Sequence, residues 1–400
     1  MSKKNVEWEW KKLGDLYPIS MGKTPPRADK SCWDQKKETN NVWVSIADIS
    51  ANENNVIYDT KEYISNKAAK NITKVEKDSL LLSFKLTIGK MAFAGVPLYT
   101  NEAIVNFPPK KGLSLAYLHK YFLYYDWEKT CEGDTKVKGK TLNKEKLKNI
   151  DVLLPPLDEQ ERIVKVLDDA FEKIDTIKTT AETNLQNAKD LFQTSIKASY
   201  SIEVHNCARL GDVGYITDGD HLPPPKSKQG IPFITISDID KETNSICFDD
   251  TFYVPKSYFE GLKDYRKPKI GDVLYTVTGS YGIPVLVDGK RNFCFQRHIG
   301  LIRPTEKLLP TYLFYWILSP NTKMMADEVA TGAAQKTVSL KSLRDFSIPL
   351  PPLSIQKQIV AKLDSLSEKV KQLESNYKQV LADCDELKKA LLKQAFEGML

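Results

Sequence analysis

Apolar residues recur at alternating spacings of four and three positions along two stretches, one near the middle of the chain and one near its end. This spacing places its members on one stripe of a helix and is typical of a coiled-coil seam. The pattern therefore predicts one long helix in each stretch. The predicted seam residues are Ile163, Leu167, Ile174 and Ile177 in the first helix and Ile359, Leu363, Leu366, Val370, Leu373 and Tyr377 in the second.

The two predicted helices are expected to pair with each other, because neither has another apolar stripe of its own length in the chain. Each helix leads out of its own globular region, so a pseudo-two-fold pairing would be antiparallel. The first stripe meets Asn184 and continues from Leu185. Either a stutter or a buried polar residue that sets the register fits this interruption.

Short runs rich in Val, Ile, Thr and aromatic residues precede each long helix, and Gly, Pro, Asn and Asp bound them. Such runs predict strands and turns. Examples are NVWVSI at 41–46, IPFITIS at 231–237 and DVLYTVTG at 272–279. We also expect one amphipathic or buried helix in each region, over Leu113–Lys129 and Leu308–Asn321.

The chain repeats itself after 196 positions. The segment KTLNKEKLKNIDVLLPPL (Lys140 to Leu157) aligns without a gap with KTVSLKSLRDFSIPLPPL (Lys336 to Leu353). Weaker matches, such as KLGDL at 12–16 with RLGDV at 209–213, precede it in the same order. The repeat predicts an α+β protein in which two mixed α/β domains form a pseudo-two-fold repeat, joined by two long helices in an antiparallel coiled coil.

Four segments follow from this repeat. Residues 1–150 form a first variable domain and 151–200 a first helical region that acts as a coiled-coil spacer. Residues 201–347 form a second variable domain, and 348–400 form a second coiled-coil region.

Composition is that of a soluble chain of two or more domains, because 400 residues exceed one ordinary core and no apolar run reaches eighteen residues. The first residues carry no apolar signal-peptide core, so a cytoplasmic location is the default expectation. Six cysteines without a C-x-x-C pair fit reduced thiols better than disulfides or a zinc site.

Charge is unevenly distributed along the chain. The formal net charge is +6, but residues 1–150 carry +8 and residues 151–199 carry −4. A basic first third is compatible with a nucleic-acid surface, although many proteins with neutral ligands are as basic.

Catalytic signatures are missing from the sequence. It contains no G-x-x-x-x-G-K-[ST] loop, no G-x-G-x-x-G after a strand and no H-E-x-x-H, and it has four histidines in all. NFPP at 106–109 is only superficially similar to the catalytic loop of amino-methyltransferases, because Phe107 and Lys110 break the pattern. The sequence therefore favours a non-catalytic protein.

Each variable domain holds loops that are dense in groups able to contact phosphates or base edges. Arg pairs with guanine and Asn or Gln with adenine, whereas Lys, Ser and Thr mostly hold phosphates. Any one of these residues could equally be part of a solvated turn. The candidates in the first domain are Lys23, Thr24, Arg27, Lys85, Lys90, Asn101, Lys136 and Lys138. The candidates in the second are Asp220, His221, Lys226, Ser280, Tyr281, Gln296, Arg297, His298 and Lys336.

The arrangement resembles the specificity subunit of type I restriction-modification enzymes. A variable domain followed by a Pro-Pro-Leu-x-x-Gln helix start, and then both again, is the pattern of that family. The segment TGAAQKTVSLKSLRDFSIPLPPLSIQKQIV (Thr331 to Val360) is closely similar to the sequence that typically leads into the conserved helix of that family. The first copy departs from it, since EGDTKVKGK (Glu132 to Lys140) replaces the compact TGAAQ.

The resemblance implies a DNA-binding subunit without catalysis, whose two target-recognition domains each read one half of a split, asymmetric site in double-stranded DNA. The helices would set the spacer and dock two methylation subunits, and restriction subunits would join the full complex. S-adenosylmethionine, ATP and Mg would then bind to those partners and no cofactor or metal to this chain. The alternatives are a coiled-coil adaptor that binds proteins without reading DNA, and a fused methyltransferase.

Overall fold

The computed structural model describes residues 8–52, 54–131, 135–136, 139–200, 207–221 and 224–400. These residues form two compact units. Unit 1 comprises Met1–Thr180 together with Val380–Leu400, and unit 2 comprises Ala181–Gln379. Lys138 lies outside the described residues. The division of the chain into four segments remains a prediction.

Unit 1 is built on a five-stranded sheet with the order β2-β10-β6-β8-β4, accompanied by the small sheets β5-β3-β9, β11-β12-β7 and β1-β13. Its strands are β1 Glu9–Lys12, β2 Ser20–Met21, β3 Val42–Val44, β4 Val56–Ile57, β5 Glu62–Tyr63, β6 Leu80–Ser83, β7 Lys85–Leu86, β8 Met91–Ala94, β9 Tyr99–Thr100, β10 Ile104–Phe107, β11 Thr135–Lys136, β12 Gly139–Thr141 and β13 Asp151–Leu154. Its helices are α1 Leu13–Leu16, α2 Ile46–Ala51, α3 Asn66–Ala69, α4 Leu115–Tyr124, α5 Trp127–Thr130, α6 Lys144–Lys148 and the first part of α7 Leu157–Tyr200.

Unit 2 repeats this plan with the sheets β15-β23-β20-β21, β19-β16-β22, β14-β24 and β17-β18. Its helices are α8 Leu210–Val213, α9 Lys256–Gly261, α10 Pro310–Ile317, α11 Pro320–Val329, α12 Leu340–Arg344 and most of α13 Leu353–Phe396. Its strands are β14 Cys207–Arg209, β15 Gly214–Asp218, β16 Ile231–Ile234, β17 Ile239–Asp240, β18 Ser245–Ile246, β19 Phe252–Val254, β20 Val273–Thr276, β21 Pro284–Leu286, β22 Cys294–Phe295, β23 Ile299–Pro304 and β24 Ser347–Pro349.

The duplication predicted from the sequence is confirmed at the level of strand pairing. A parallel pair followed by an antiparallel neighbour occurs in each unit, β3 with β9 and β5 in unit 1, and β16 with β22 and β19 in unit 2. The antiparallel trio β10-β6-β8 likewise matches β23-β20-β21. The fold is therefore two mixed α/β units of one design.

Each predicted domain helix is divided in the structure. The first ends at Tyr124, and the Asp126 side chain then caps the short α5 by accepting from the N–H of Lys129. The second ends at Ile317, and Pro320 starts α11 because proline is tolerated in the first turn, where its missing N–H would be unpaired anyway.

Helices α7 and α13 confirm the two long helices predicted from the apolar stripes, and each has 44 residues. Within unit 1 they run antiparallel, because later residues of α7 pair with earlier residues of α13. Lys388 forms an ion pair with Asp175, and Lys178 Nζ lies 3.0 Å from Asp385 Oδ1. Near the other end of this stretch, Arg162 Nη2 donates to the Leu400 carbonyl at 3.1 Å.

Buried residues recur at spacings of seven or fourteen positions along the two helices. These buried residues are Leu167, Ile174, Ala181 and Ala188 in α7, and Leu363, Val370 and Cys384 in α13. The predicted seam residue Ile163 is buried as well, whereas Ile359, Leu366 and Tyr377 are partly buried. Ile177 and Leu373 are 50% and 39% exposed, so these two predicted seam residues face solvent.

Candidate nucleic-acid interface

A buried glutamine joins each long helix to the unit that precedes it in the chain. Gln160 donates to the Pro155 carbonyl at 2.8 Å, and its Oε1 accepts from the N–H of Ser114 at the start of α4. Gln356 donates to the Pro351 and Lys307 carbonyls, both at 2.9 Å, and accepts from the N–H of Leu309 at the start of α10. We call Gln160 and Gln356 the glutamine clamps.

The clamps explain why the Pro-Pro-Leu-x-x-Gln motif occurs twice in the sequence. The glutamine pairs backbone groups at two helix starts that would otherwise be buried or partly buried without partners, which is costly. A tyrosine adds to each junction, since Tyr117 donates to the Leu153 carbonyl at 2.7 Å and Tyr312 to the Pro349 carbonyl at 3.0 Å. The phrase thus fixes each long helix on its unit.

A three-residue loop lies at the centre of the candidate interface in unit 1. This loop, Asn101-Glu102-Ala103, joins β9 to β10. Asn101 N donates to the Val44 carbonyl at 3.1 Å, and the Ala103 carbonyl accepts from Phe84 N at 3.0 Å. The loop is therefore held to the ends of two further strands.

The corresponding loop of unit 2 is Gln296-Arg297-His298, between β22 and β23. Gln296 N donates to the Ile234 carbonyl at 3.0 Å, and the His298 carbonyl accepts from Val277 N at 2.9 Å. These two bonds reproduce those of the unit 1 loop. We call the two loops the triplets, because their backbone connections match while their side chains differ at every position.

A glycine brings a second loop against each triplet. A Cβ on Gly22 would lie 1.9 Å from the Thr100 carbonyl oxygen, and one on Gly219 would lie 1.9 Å from the Phe295 carbonyl oxygen. Only glycine allows so close an approach. The residue after each glycine is thereby placed beside the triplet, and Lys23 N and Asp220 N donate to those same two carbonyls at 2.8 and 3.1 Å.

Several sequence-predicted residues of unit 1 surround Glu102. Thr24 donates a short hydrogen bond to the Glu102 carboxylate. Lys23 precedes Thr24 and Asn101 precedes Glu102 in the chain, and Lys23 N donates to the Thr100 carbonyl. Burial alone would raise the pKa of Glu102, but the Thr24 hydrogen bond and the charge of Lys85 hold it below its usual value. Glu102 is therefore an anionic acceptor at neutral pH.

Arg27 lies apart from this group. Its guanidinium is paired with Glu62, with an Nη2 to Oε2 distance of 3.1 Å, and it lies 4.1 Å and 4.8 Å from the ring centroids of Trp33 and Trp43. These contacts occupy the fork and the face through which arginine would meet a base. Lys90 is exposed and shares a hairpin with Lys85, closed by the bond from Ser83 N to the Lys90 carbonyl at 2.9 Å.

The first copy's longer loop contributes to a small sheet beside this hairpin. Lys136 lies on β11, which pairs with β12, and β12 in turn pairs with β7 through Thr141 and Lys85. The backbone of residues 135–136 and 139–141 is thus brought to the Lys85 hairpin.

In unit 2, Asp220 is part of an ionic cluster next to the triplet. Its carboxylate accepts from Tyr258 Oη and from Arg266 Nη1, the latter at 3.2 Å. Burial and the Asp220 carboxylate together raise the pKa of Tyr258 well above its ordinary value. Asp220 thus organises the loop, and the exposed His221 bonds to Asp218 at 2.8 Å.

Lys336 lies beside the unit 2 triplet, because its carbonyl accepts from Gly279 N at 2.9 Å and Thr337 pairs with Thr278. His298 Nδ1 is 3.2 Å from Thr278 Oγ1. Ser280 is exposed in the same turn. This set therefore converges on one surface.

The side chains of Tyr281 and Lys226 contact other residues of unit 2 and not the triplet. Tyr281 Oη donates to Asp327 at 2.6 Å, and Lys323 Nζ lies 3.9 Å from the centre of its ring. Lys226 Nζ lies 5.1 Å from the centroid of the Phe252 ring. Both side chains are engaged within unit 2.

Sequence reasoning did not find the partners Glu62, Trp33, Arg266 and Tyr258. They lie 6 to 46 positions from the residues they bind, and no periodicity connects them. Within the described residues, no group of three or more His, Cys, Asp and Glu side chains could hold a metal ion. None of the helices described is both long enough and apolar enough to cross a membrane.

The family model described as "Type I restriction modification DNA specificity domain" matches residues 5–186 and again residues 206–382. The EcoBI specificity subunit of Escherichia coli is 25% identical over 62% of this chain, which corresponds to 58% of that relative. The MjaIX specificity subunit of Methanocaldococcus jannaschii is 23% identical over 98% of this chain and 94% of the relative.

Two solved structures share the fold. One chain, from work on complex assembly and conformational transition of the type I R-M system, aligns over 100% of both chains with a TM-score of 0.77 and 20% identity. The HsdS subunit of Thermoanaerobacter tengcongensis aligns over 98% of this chain and 97% of its own length, with a TM-score of 0.61 and 19% identity.

Proposed function

The chain belongs to the type I restriction modification DNA specificity family, and on that premise we propose that each unit reads one half of a split site in double-stranded DNA. The triplets and the residues gathered around them would contact the bases. Lys23, Lys90 and Lys336 are exposed and suit phosphate contacts.

The observation that carries this proposal is the combination of matched backbone and unlike side chains. A structural loop that served the same purpose in both units would keep its side chains as well as its hydrogen bonds. Here Asn-Glu-Ala stands in one unit where Gln-Arg-His stands in the other. Two readers of two different half-sites require this pattern, since base edges are distinguished by the donors and acceptors that meet them.

Helices α7 and α13 would set the number of unread base pairs and dock two methylation subunits. Four exposed apolar residues support the docking: Ile177 (50%) and Leu387 (49%) in unit 1, and Leu191 (55%) and Leu373 (39%) in unit 2. Ile177 corresponds to Leu373 and Leu191 to Leu387 in the 196-residue repeat. The same apolar pair thus occurs twice, as two copies of one partner would require.

Catalysis would belong to those partners. We expect S-adenosylmethionine to bind to the methylation subunits and ATP and Mg to bind to restriction subunits. This chain would supply orientation and sequence choice.

Selection from a random duplex DNA pool tests the function. The full chain, purified with its methylation subunit, is expected to enrich two short half-sites separated by a fixed gap without base preference. Removing the chain from the complex should abolish the enrichment. A complex that binds all duplexes equally, or none, would instead support the coiled-coil adaptor.

A further inference from the structure

The middle positions of the two triplets carry opposite chemistry. Glu102 and Arg297 occupy the same place in the matched backbone frame. Glutamate offers only acceptors when ionised, and arginine offers only donors. The two units therefore present opposite hydrogen-bonding groups at one equivalent point.

Glu102 is held as a carboxylate at the surface. It is exposed, its bond from Thr24 fixes one oxygen, and the positive charge of Lys85 favours the ionised form. A carboxylate with two oxygens has lone pairs left for a further donor. In the major groove, Glu and Asp accept from the N4 amino group of cytosine.

Arg297 is exposed, and no ion pair or side-chain hydrogen bond engages its guanidinium in the part of the chain that the structure describes. Its backbone is fixed, because Arg297 N donates to the Asp220 carbonyl at 3.1 Å. A fixed backbone with a free guanidinium suits bidentate contact with O6 and N7 of guanine, which is the commonest specific arginine contact in DNA complexes.

The other residues of the two triplets present fewer free hydrogen-bonding groups at the surface. Asn101 Oδ1 accepts from Ala103 N at 3.0 Å, Ala103 has no polar side-chain atom, and His298 is engaged with Thr278. Gln296 is half-buried. The middle residue is thus the one that each triplet presents most fully.

We propose that Glu102 and Arg297 are specificity-determining residues at equivalent points, Glu102 selecting cytosine in one half-site and Arg297 selecting guanine in the other. This inference rests on the proposed function, because it assigns single bases to the two readers.

The test is the same random-pool selection, repeated with E102Q and with R297Q. Glutamine pairs with adenine, so each substitution is expected to shift one position of one half-site toward adenine. The original base should lose about tenfold or more of its preference there. The second half-site should stay unchanged and thus show that the complex is assembled.

Two control substitutions test whether a change of the motif is specific to Glu102 and Arg297. R291Q changes another exposed arginine of unit 2, and E76Q changes an exposed glutamate of unit 1, and both should leave the motif unchanged. Loss of guanine at one position in R297Q, with an unchanged Tm, supports the assignment even if adenine does not replace it. If Tm falls, the milder R297K, which should keep guanine at reduced preference, decides in its place.

Three outcomes would overturn the inference: an unchanged motif in E102Q and R297Q, a change in both half-sites at once, or an equal weakening at every position. Each leaves the wild-type motif intact and so leaves the proposed function standing. A wild-type complex that enriches no motif refutes the function itself.

Discussion

At the scale of single residues, burial separates the functions of similar side chains. Gln356 is buried and satisfies three backbone groups, whereas Gln358, two positions later in α13, is exposed. Arg27 and Arg297 are both exposed and differ in their partners, because Arg27 is paired with Glu62 and packs against Trp33 and Trp43, whereas the Arg297 guanidinium has no such partner among the described residues. Sequence patterns could identify each of these as polar but could not separate them.

Gln356→Ala is expected to lower the free energy of unfolding by about 2–3 kcal/mol. The substitution leaves the buried Pro351 carbonyl and the partly buried Lys307 carbonyl and Leu309 N–H without their partner. Chemical denaturation followed by tryptophan fluorescence measures the change. Gln358→Ala is the matched control and should change stability by about 0.5 kcal/mol or less. Equal effects of the two substitutions would show that the clamp adds nothing.

His119 makes unit 1 sensitive to acid. Burial, assisted by the charge of Lys120, lowers its pKa to about 4, while Asp168 acts in the opposite direction. Because the unfolded chain takes up a proton near pH 6.5 and the folded chain does not, stability falls as the pH drops from about 6.5 to 4. The equivalent position in unit 2 is Phe314.

His119→Phe is therefore expected to flatten the pH dependence of unfolding in that window, where one such group contributes up to about 1.4 kcal/mol per pH unit. Denaturant titrations at pH 7, 6, 5 and 4 measure it. Leu123→Phe, at an exposed residue of α4 without a titrating group, should leave the slope unchanged. A slope that stays the same in His119→Phe would contradict the assignment.

At the scale of elements, the sequence allowed both long helices, the repeat and the mixed α/β class to be predicted, since periodicity and identity are local properties of the chain. The buried stripe turned out narrower than the predicted seam, because the exposure of Ile177 and Leu373 depends on how two helices meet. The division of the two predicted domain helices at Asp126 and Pro320 depends on helix capping, and a long apolar run in the sequence does not reveal it.

Insertion of four residues after Asn187 in α7 is expected to lengthen the unread gap without changing either half-site. Four helical residues add about 6 Å, which corresponds to about two base pairs. Methylome sequencing of cells that carry the insertion measures the gap. The same insertion after Gly289, in a loop of unit 2, should leave the gap unchanged. A fixed gap in the α7 variant would contradict the role of the helix as a spacer.

At the scale of the whole molecule, the repeat predicts that the two units are separable in function. Each unit contains its own sheets, its own glutamine clamp and its own triplet. On the proposed function, the bases that each unit would read could not be predicted from the sequence, because they depend on which side chains remain free after the unit has folded, as Arg27 illustrates.

Replacement of residues 1–150 by the corresponding domain of another family member is expected to change one half-site and leave the other intact. The junction lies before the Pro-Pro-Leu-x-x-Gln phrase, so the clamp of the host is retained. Methylome sequencing compares the two motifs, and replacement of residues 201–347 provides the reciprocal case. A change in both half-sites after either replacement would show that the units do not read independently.

Unit 1 is built from two distant parts of the chain, and this constrains the order in which the units can be completed during synthesis. Phe396 of α13 packs against Tyr117, Tyr121 and Tyr124 of α4, with ring centroids 5.2 to 5.5 Å apart. During translation, α4 leaves the ribosome before all of unit 2, and Phe396 leaves after it. Phe396 therefore cannot cover the aromatic face of α4 while unit 2 is synthesised, and unit 1 is the last to be completed.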